Sequence, residues 1–103
     1  MININLYRAI GETDFAENKD IGEKIRVSKI MPELSKGNEL ILDFEKIDRA
    51  TQSFIHSLIS DPVRKYGDKA LDLIIFKNCN DNVKSMINIV LGYLQDAMDN
   101  KEA

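Results

Sequence analysis

The chain has 103 residues, 44% hydrophobic and 30% charged, with 17 acidic against 14 basic side chains and a net charge of −3. That length fits one domain with one core, and the composition is that of a folded chain rather than a disordered one. The negative balance repels a phosphate backbone, so nucleic acid is not the expected partner, and no apolar run approaches the roughly 20 residues that span a bilayer.

Ile2, Ile4 and Leu6 are apolar at period two, which predicts a half-buried strand over 2–7. The same residues lack the basic head and long apolar run of a signal peptide. With a lone Cys79, this points to the reducing cytoplasm. Gly11 to Lys19 is polar and acidic, a loop or a short hairpin. A first helix is expected to start at Asp20, capped by that carboxylate with Glu23 completing the pair. Ile21, Ile25, Ser28 and Met31 fall on one face of it. Pro32 is too late for a first-turn proline, so a kink or an end is expected there, with Leu34 and Gly37 closing the segment.

Glu39 to Phe44 and Leu71 to Phe76 are short and almost continuously apolar, as expected of central strands covered on both faces. Between them a second helix starts near Thr51, with Phe54, Ile55, Leu58 and Ile59 turned inward. Asp61-Pro62 reads as a cap followed by a first-turn proline, predicting a break before Gly67. The third helix is the clearest. Val83, Met86, Ile87, Val90, Leu91, Leu94 and Met98 follow the i, i+3, i+4, i+7 pattern, Asp81 is placed to cap it, and residues 99–103 read as a frayed tail. Strand and helix alternate three times, the order of an α/β fold with a mostly parallel sheet joined by right-handed crossovers.

The chain shows no Gly-rich phosphate loop, no cysteine pair at metal spacing and no nucleophile elbow, so neither a catalytic site nor a metal or cofactor is expected. His56 lies two positions from both Phe54 and Leu58, away from the buried stripe. Cys79 follows the last strand but has no basic neighbour to activate it. Asp43 sits inside an apolar run and must find hydrogen bonds; a strand-end cap is the favoured account, and a site at the carboxyl end of a central strand is the other. Ser53 stands in the cap region of the second helix. Ile89 and Tyr93 flank the inward stripe of the third helix, where they either extend the core, as expected, or mark a surface for a partner or a second copy of the chain.

Asp20-Ile21-Gly22-Glu23-Lys24-Ile25-Arg26, Met31-Pro32-Glu33-Leu34, and Leu42-Asp43-Phe44 followed by Thr51-Gln52-Ser53-Phe54-Ile55 together resemble the STAS-like family of bacterial domains, relatives of the anti-sigma-factor antagonists. The resemblance implies the same α/β fold and a non-catalytic, regulatory protein-interaction module. Its partner region would be the second helix and the loop before it, residues 47–57, with Asp43, Asp48, Thr51, Gln52, Ser53 and His56 as the candidate binding residues. Ser53 takes the place of the antagonists' phosphoacceptor serine, although Gln52 precedes it and Phe54 follows it. The implied partner is a kinase-like ATPase or a transcription regulator, with a homodimer as a further possibility. The alternative is a domain sensing a nucleotide or another small anion, since a helix amino end with free N–H groups suits phosphate.

Overall fold

The computed structural model describes residues 2–100, and the side chains of 2–96 among them. Strand β1, Ile2–Asn5, stops two residues short of expectation. The Asn5 side chain accepts from the Arg8 N–H and starts a single helical turn, α1, Leu6–Ala9. The acidic segment that follows is neither a plain loop nor a hairpin: Phe15–Ala16 form a two-residue strand, β2.

The first helix begins one residue before Asp20, because Asn18 is its cap. The Asn18 Oδ1 accepts from Asp20 and Ile21, and α2 covers Lys19–Ile25. The rod continues through a π turn, Arg26–Ile30, into α3, Met31–Ser35. Pro32 neither ends nor breaks it. Proline lacks the N–H that the Ser28 carbonyl would take and its ring presses on that carbonyl; a wider turn ahead of it, closed by the Met31 N–H on the Arg26 carbonyl, makes room. The extra residue in that turn shifts the helix face. Ile25, Ile30 and Leu34 are buried while Ser28 is exposed, a departure from the inward row expected of a regular helix. Gly37, at φ +76, closes the rod by donating to Leu34, while Asn38 donates to Glu33, the paired bonds that a left-handed glycine permits.

Strand β3, Leu40–Asp43, is followed by a second two-residue strand, β4, Arg49–Ala50. Helix α4 then runs unbroken from Gln52 to Tyr66 with Pro62 inside it, against the expected break. Two strapping contacts sit beside the proline: the Arg26 guanidinium donates to the Ser57 carbonyl at 3.3 Å and pairs with Asp61 at 3.4 Å. Buried Pro62 and Val63 keep that end in the core. The third apolar run divides. Asp68–Leu73 form a short helix, α5, and only Ile74–Lys77 form strand β5. Periodicity cannot separate helix from strand in so short a run, and the strand begins where the β-branched pair Ile74-Ile75 does. Helix α6 covers Asp81–Asn100. Its cap is Asn80, whose Oδ1 accepts from the Val83 N–H at 2.9 Å, rather than Asp81. Residues 99 and 100, expected in a frayed tail, are helical, while 101–103 and the Met98 side chain lie outside the described residues.

Both sheets are parallel, as expected. β3 lies between β1 and β5, with Ile2, Leu40 and Ile74 in register, and β2 pairs with β4. β5 is therefore an edge strand and not a central one. Ile4, Leu40, Leu42 and Ile74 are buried on one sheet face, beneath a layer in which α4 packs between α2 and α6. The opposite face is open, with Asn3 and Ile75 exposed and Ile41 half-buried. The expectation of strands covered on both sides fails there.

Val83, Ile87, Val90 and Leu94 of α6 are buried as the pattern required. Ile89 and Tyr93 do not extend the core: they are 45% and 60% exposed. On the helix Ile89 lies about 100° and Tyr93 about 60° beyond Val90, the near edge of the buried stripe. Among the described residues no helix is long and apolar enough to cross a membrane.

Candidate functional site

The first turn of α4 is organised by one hydroxyl. Thr51, in extended conformation, accepts the Phe54 N–H on Oγ1 at 3.2 Å, the bond of a helix cap. Ser53 is exposed, and its Oγ reaches only the Thr51 Oγ1, 3.3 Å away. The cap role that the sequence allowed to Ser53 thus belongs to Thr51. Thr51→Ala is expected to cost about 0.5–2 kcal/mol and Ser53→Ala to leave the thermal midpoint where it is. Calorimetry of the two variants checks the assignment, and a Ser53 variant that melts lower than the Thr51 variant would refute it.

Ahead of this turn, β2 and β4 hold the chain still. Ala16 and Ala50 point into the core, so Phe15 and Arg49, their neighbours on the pleat, point outward, paired in register. Phe15 is 43% exposed. The backbone around them is pinned at several points: Asp48 and Arg49 donate to the Asp14 carbonyl, Thr51 donates to Ala16, and the Asn80 amide donates to the Asp48 carbonyl at 2.9 Å. The Asp48 carboxylate lies 3.7 Å from the Arg49 Nε, with both side chains largely in solvent, where an ion pair adds little. Gln52 is exposed beside them.

Asp43 stands apart from this surface. It is buried, and its Oδ1 accepts from the Glu45 N–H at 3.0 Å and from the Asn78 amide at 2.9 Å. The carboxylate thereby closes the turn after β3 and ties the end of β3 to the end of β5. This is the strand-end account favoured on sequence grounds, now with a second strand attached.

His56 is half-buried, in contrast to the solvated position expected. With Ser53 it lines a polar groove of about 510 Å³ between α2 and α4. Lys19, Arg26 and Arg64 face Asp20, Glu23 and Asp61 in the same groove, so its charges balance. Beside it α2 and α4 approach closely where Gly22 meets Ser57, and Arg26 bridges Glu23, Asp61 and the Ser57 carbonyl. Thr51, Gln52, Ser53 and His56 therefore share one end of α4, Asp48 adjoins them through β4, and Asp43 does not join them. Phe15, Arg49 and Gly22 were missed as contributors to this region. A two-residue strand has no periodicity to detect, and only the repeated Ala after Phe15 and after Arg49 hinted at a pair.

Burial pushes the Cys79 thiol up from its ordinary value, with Lys84 pulling the other way and Asp43 adding to the rise, so it is protonated at neutral pH. Among the described residues no group of three or more His, Cys, Asp or Glu side chains is placed to hold a metal ion.

A family model described as a STAS-like domain of unknown function matches residues 21–84, more than half of the chain. The match takes in α2, the Pro32 rod, β3, the β4–α4 region and β5. No curated protein and no solved structure matches.

Proposed function

The chain belongs to the family of STAS-like domains of unknown function, and on that premise we propose that it is a cytoplasmic regulatory module that docks a protein partner and catalyses nothing itself. The docking surface is the first turn of α4 with the β2–β4 pair beside it. One observation carries the reading: Phe15 and Arg49 stand side by side, facing outward, on a backbone already fixed by hydrogen bonds with Asp14, Ala16 and Asn80. An ordered surface loses little conformational entropy on binding, and an exposed aromatic next to an arginine has the composition of an interface hot spot. By likeness to the anti-sigma-factor antagonists, the partner is a kinase-like ATPase or a transcription regulator.

The test begins with recovery of the chain from its native cells, identification of a stoichiometric partner, and titration of that purified partner by calorimetry. Phe15→Ala is expected to weaken the complex about thirtyfold, the effect of losing a hot-spot side chain of roughly 2 kcal/mol, with an unchanged melting temperature. Wild-type affinity in both Phe15→Ala and Arg49→Ala rules this surface out.

Ser53 adds a means of control. A phosphate there would meet the free N–H groups and positive end of α4 while placing about −1.5 to −2 charge on the docking surface beside Asp48. Ser53→Asp is expected to keep its melting temperature and to bind the partner at least about tenfold more weakly, whereas Ser53→Ala keeps both. Equal affinities in the two variants remove the switch and leave the docking surface standing.

A further inference from the structure

Beyond the last strand the chain forms a second concave surface that the docking reading does not use. From the groove between the end of β5 and the flank of α6 we infer a binding site for a small organic anion, one with a flat apolar body and the size of a nucleoside monophosphate. The groove is open to solvent along one side and has a volume of about 620 Å³, inside the roughly 300–1,000 Å³ range of small-molecule sites. It lies past the carboxyl end of a parallel strand, where open α/β sheets hold their ligands.

Its lining divides by chemistry. Phe76, Ile87 and Leu91 form an apolar wall, and the Phe76 ring is backed by Phe44 at 6.5 Å between centroids, so the wall does not collapse. Lys77, Lys84 and Asn88 add two cations and an amide to the lining, and among the described residues no acidic side chain lines the groove. On a chain of net charge −3, a concave surface with two lysines and no acid is a local reversal of sign, and low-dielectric walls concentrate such a field on an anion.

Behind the groove stands Asp43, whose Oδ1 is taken up by Asn78 and by the Glu45 N–H. Cys79 lines the same groove within electrostatic reach of both Lys84 and Asp43. As the sole cysteine of the chain, it is a built-in reporter of occupancy.

Three probes distinguish the parts of the ligand: adenosine 5′-monophosphate, adenosine, and inorganic phosphate. Each is titrated into the protein at low ionic strength, with backbone amide chemical shifts giving affinity and location, and with the rate of Cys79 alkylation by iodoacetamide giving protection of the groove. The monophosphate is expected to shift residues 76–91, to slow alkylation, and to bind more tightly than either adenosine or phosphate alone. Lys77→Gln and Lys84→Gln are each expected to weaken it about fivefold, the factor for one cation near the surface, without lowering the melting temperature. The alkylation effect is read as the ratio of rates with and without probe, since loss of Lys84 alters the thiol by itself. Shifts outside residues 76–91, equal binding of adenosine and its monophosphate, or unchanged affinity in the double lysine variant each overturn the site. None of these outcomes touches the docking surface, which rests on Phe15 and Arg49.

Discussion

Phe54→Ala is expected to remove about 3–5 kcal/mol of stability, the range for deleting a buried aromatic side chain. The side chain is fully buried at the start of α4, the helix that lies between α2 and α6 over the sheet. Truncation there opens a void in a core whose other large side chains, Phe44, Leu42 and Leu58 among them, are themselves fully buried and close-packed. Against the 5–15 kcal/mol that separates most domains from unfolding, the variant retains little margin, and its midpoint should fall by roughly 15–30 °C. Urea unfolding with an unchanged slope is the measurement. A loss below about 1 kcal/mol would mean that this end of α4 is not packed as described. The exposed neighbour is the control: Ser53→Ala, one residue away, should unfold with the wild type.

Gly22→Ala is the second, and its sign is the point of interest. In an exposed helix interior the change gains about 1 kcal/mol, because alanine is the better helix former. In α2 a Cβ at this position would overlap the Ser57 Oγ and would sit 3.2 Å from the Ser57 Cβ and 3.3 Å from the Phe54 carbonyl oxygen. The hydroxyl can turn aside only by giving up its bond to that same carbonyl, which is 2.6 Å long. Even then the two helices must part by several tenths of an ångström. Overpacking of this kind costs about 1–3 kcal/mol, so the net effect is a loss in place of the usual gain. Ser57→Ala removes the clashing oxygen and should restore part of the loss only in the Gly22→Ala background, a positive coupling in a double-mutant cycle. A Gly22→Ala variant more stable than the wild type would show that α2 and α4 do not approach so closely.

These two residues also mark where the sequence was legible and where it was not. Phe54 reads correctly as inward, since a four-residue apolar stripe on a long helix is a repeated signal, and the same holds for Val83, Val90 and Leu94 on α6. Gly22 carries no such signal, because a glycine kept for a neighbour's side chain looks like any other until the neighbour is known. The two prolines are legible only in part. Pro32 reads as a kink or an end and Pro62 as a break and restart; the helix at Pro32 deviates through a π turn without ending, and the one at Pro62 runs on beside the Arg26 strap. The caps fall one or two positions from where the sequence suggests for a related reason: Asn18, Thr51 and Asn80 compete locally with Asp20, Ser53 and Asp81, and the choice depends on where the preceding strand or loop delivers the chain. Of the candidate site, the α4 turn was legible. The outward pairing of Phe15 with Arg49 was not, since it joins two segments that lie far apart in the chain.

The parallel pairing of every strand has a kinetic consequence. Among the described residues no two neighbouring strands are joined by a hairpin, so no pair in either sheet can zip up from a local turn. β1 must wait for the whole α2–α3 rod before it meets β3, and β3 must wait for α4 and α5 before it meets β5. Non-local pairings of this kind lose loop-closure entropy before any contact offsets it, which slows folding. During synthesis the helices can form as they emerge, whereas the sheet stays incomplete until Lys77 has left the ribosome. Until then the apolar faces of β1 and β3 stand open, and that interval is when the nascent chain is most exposed to misassembly.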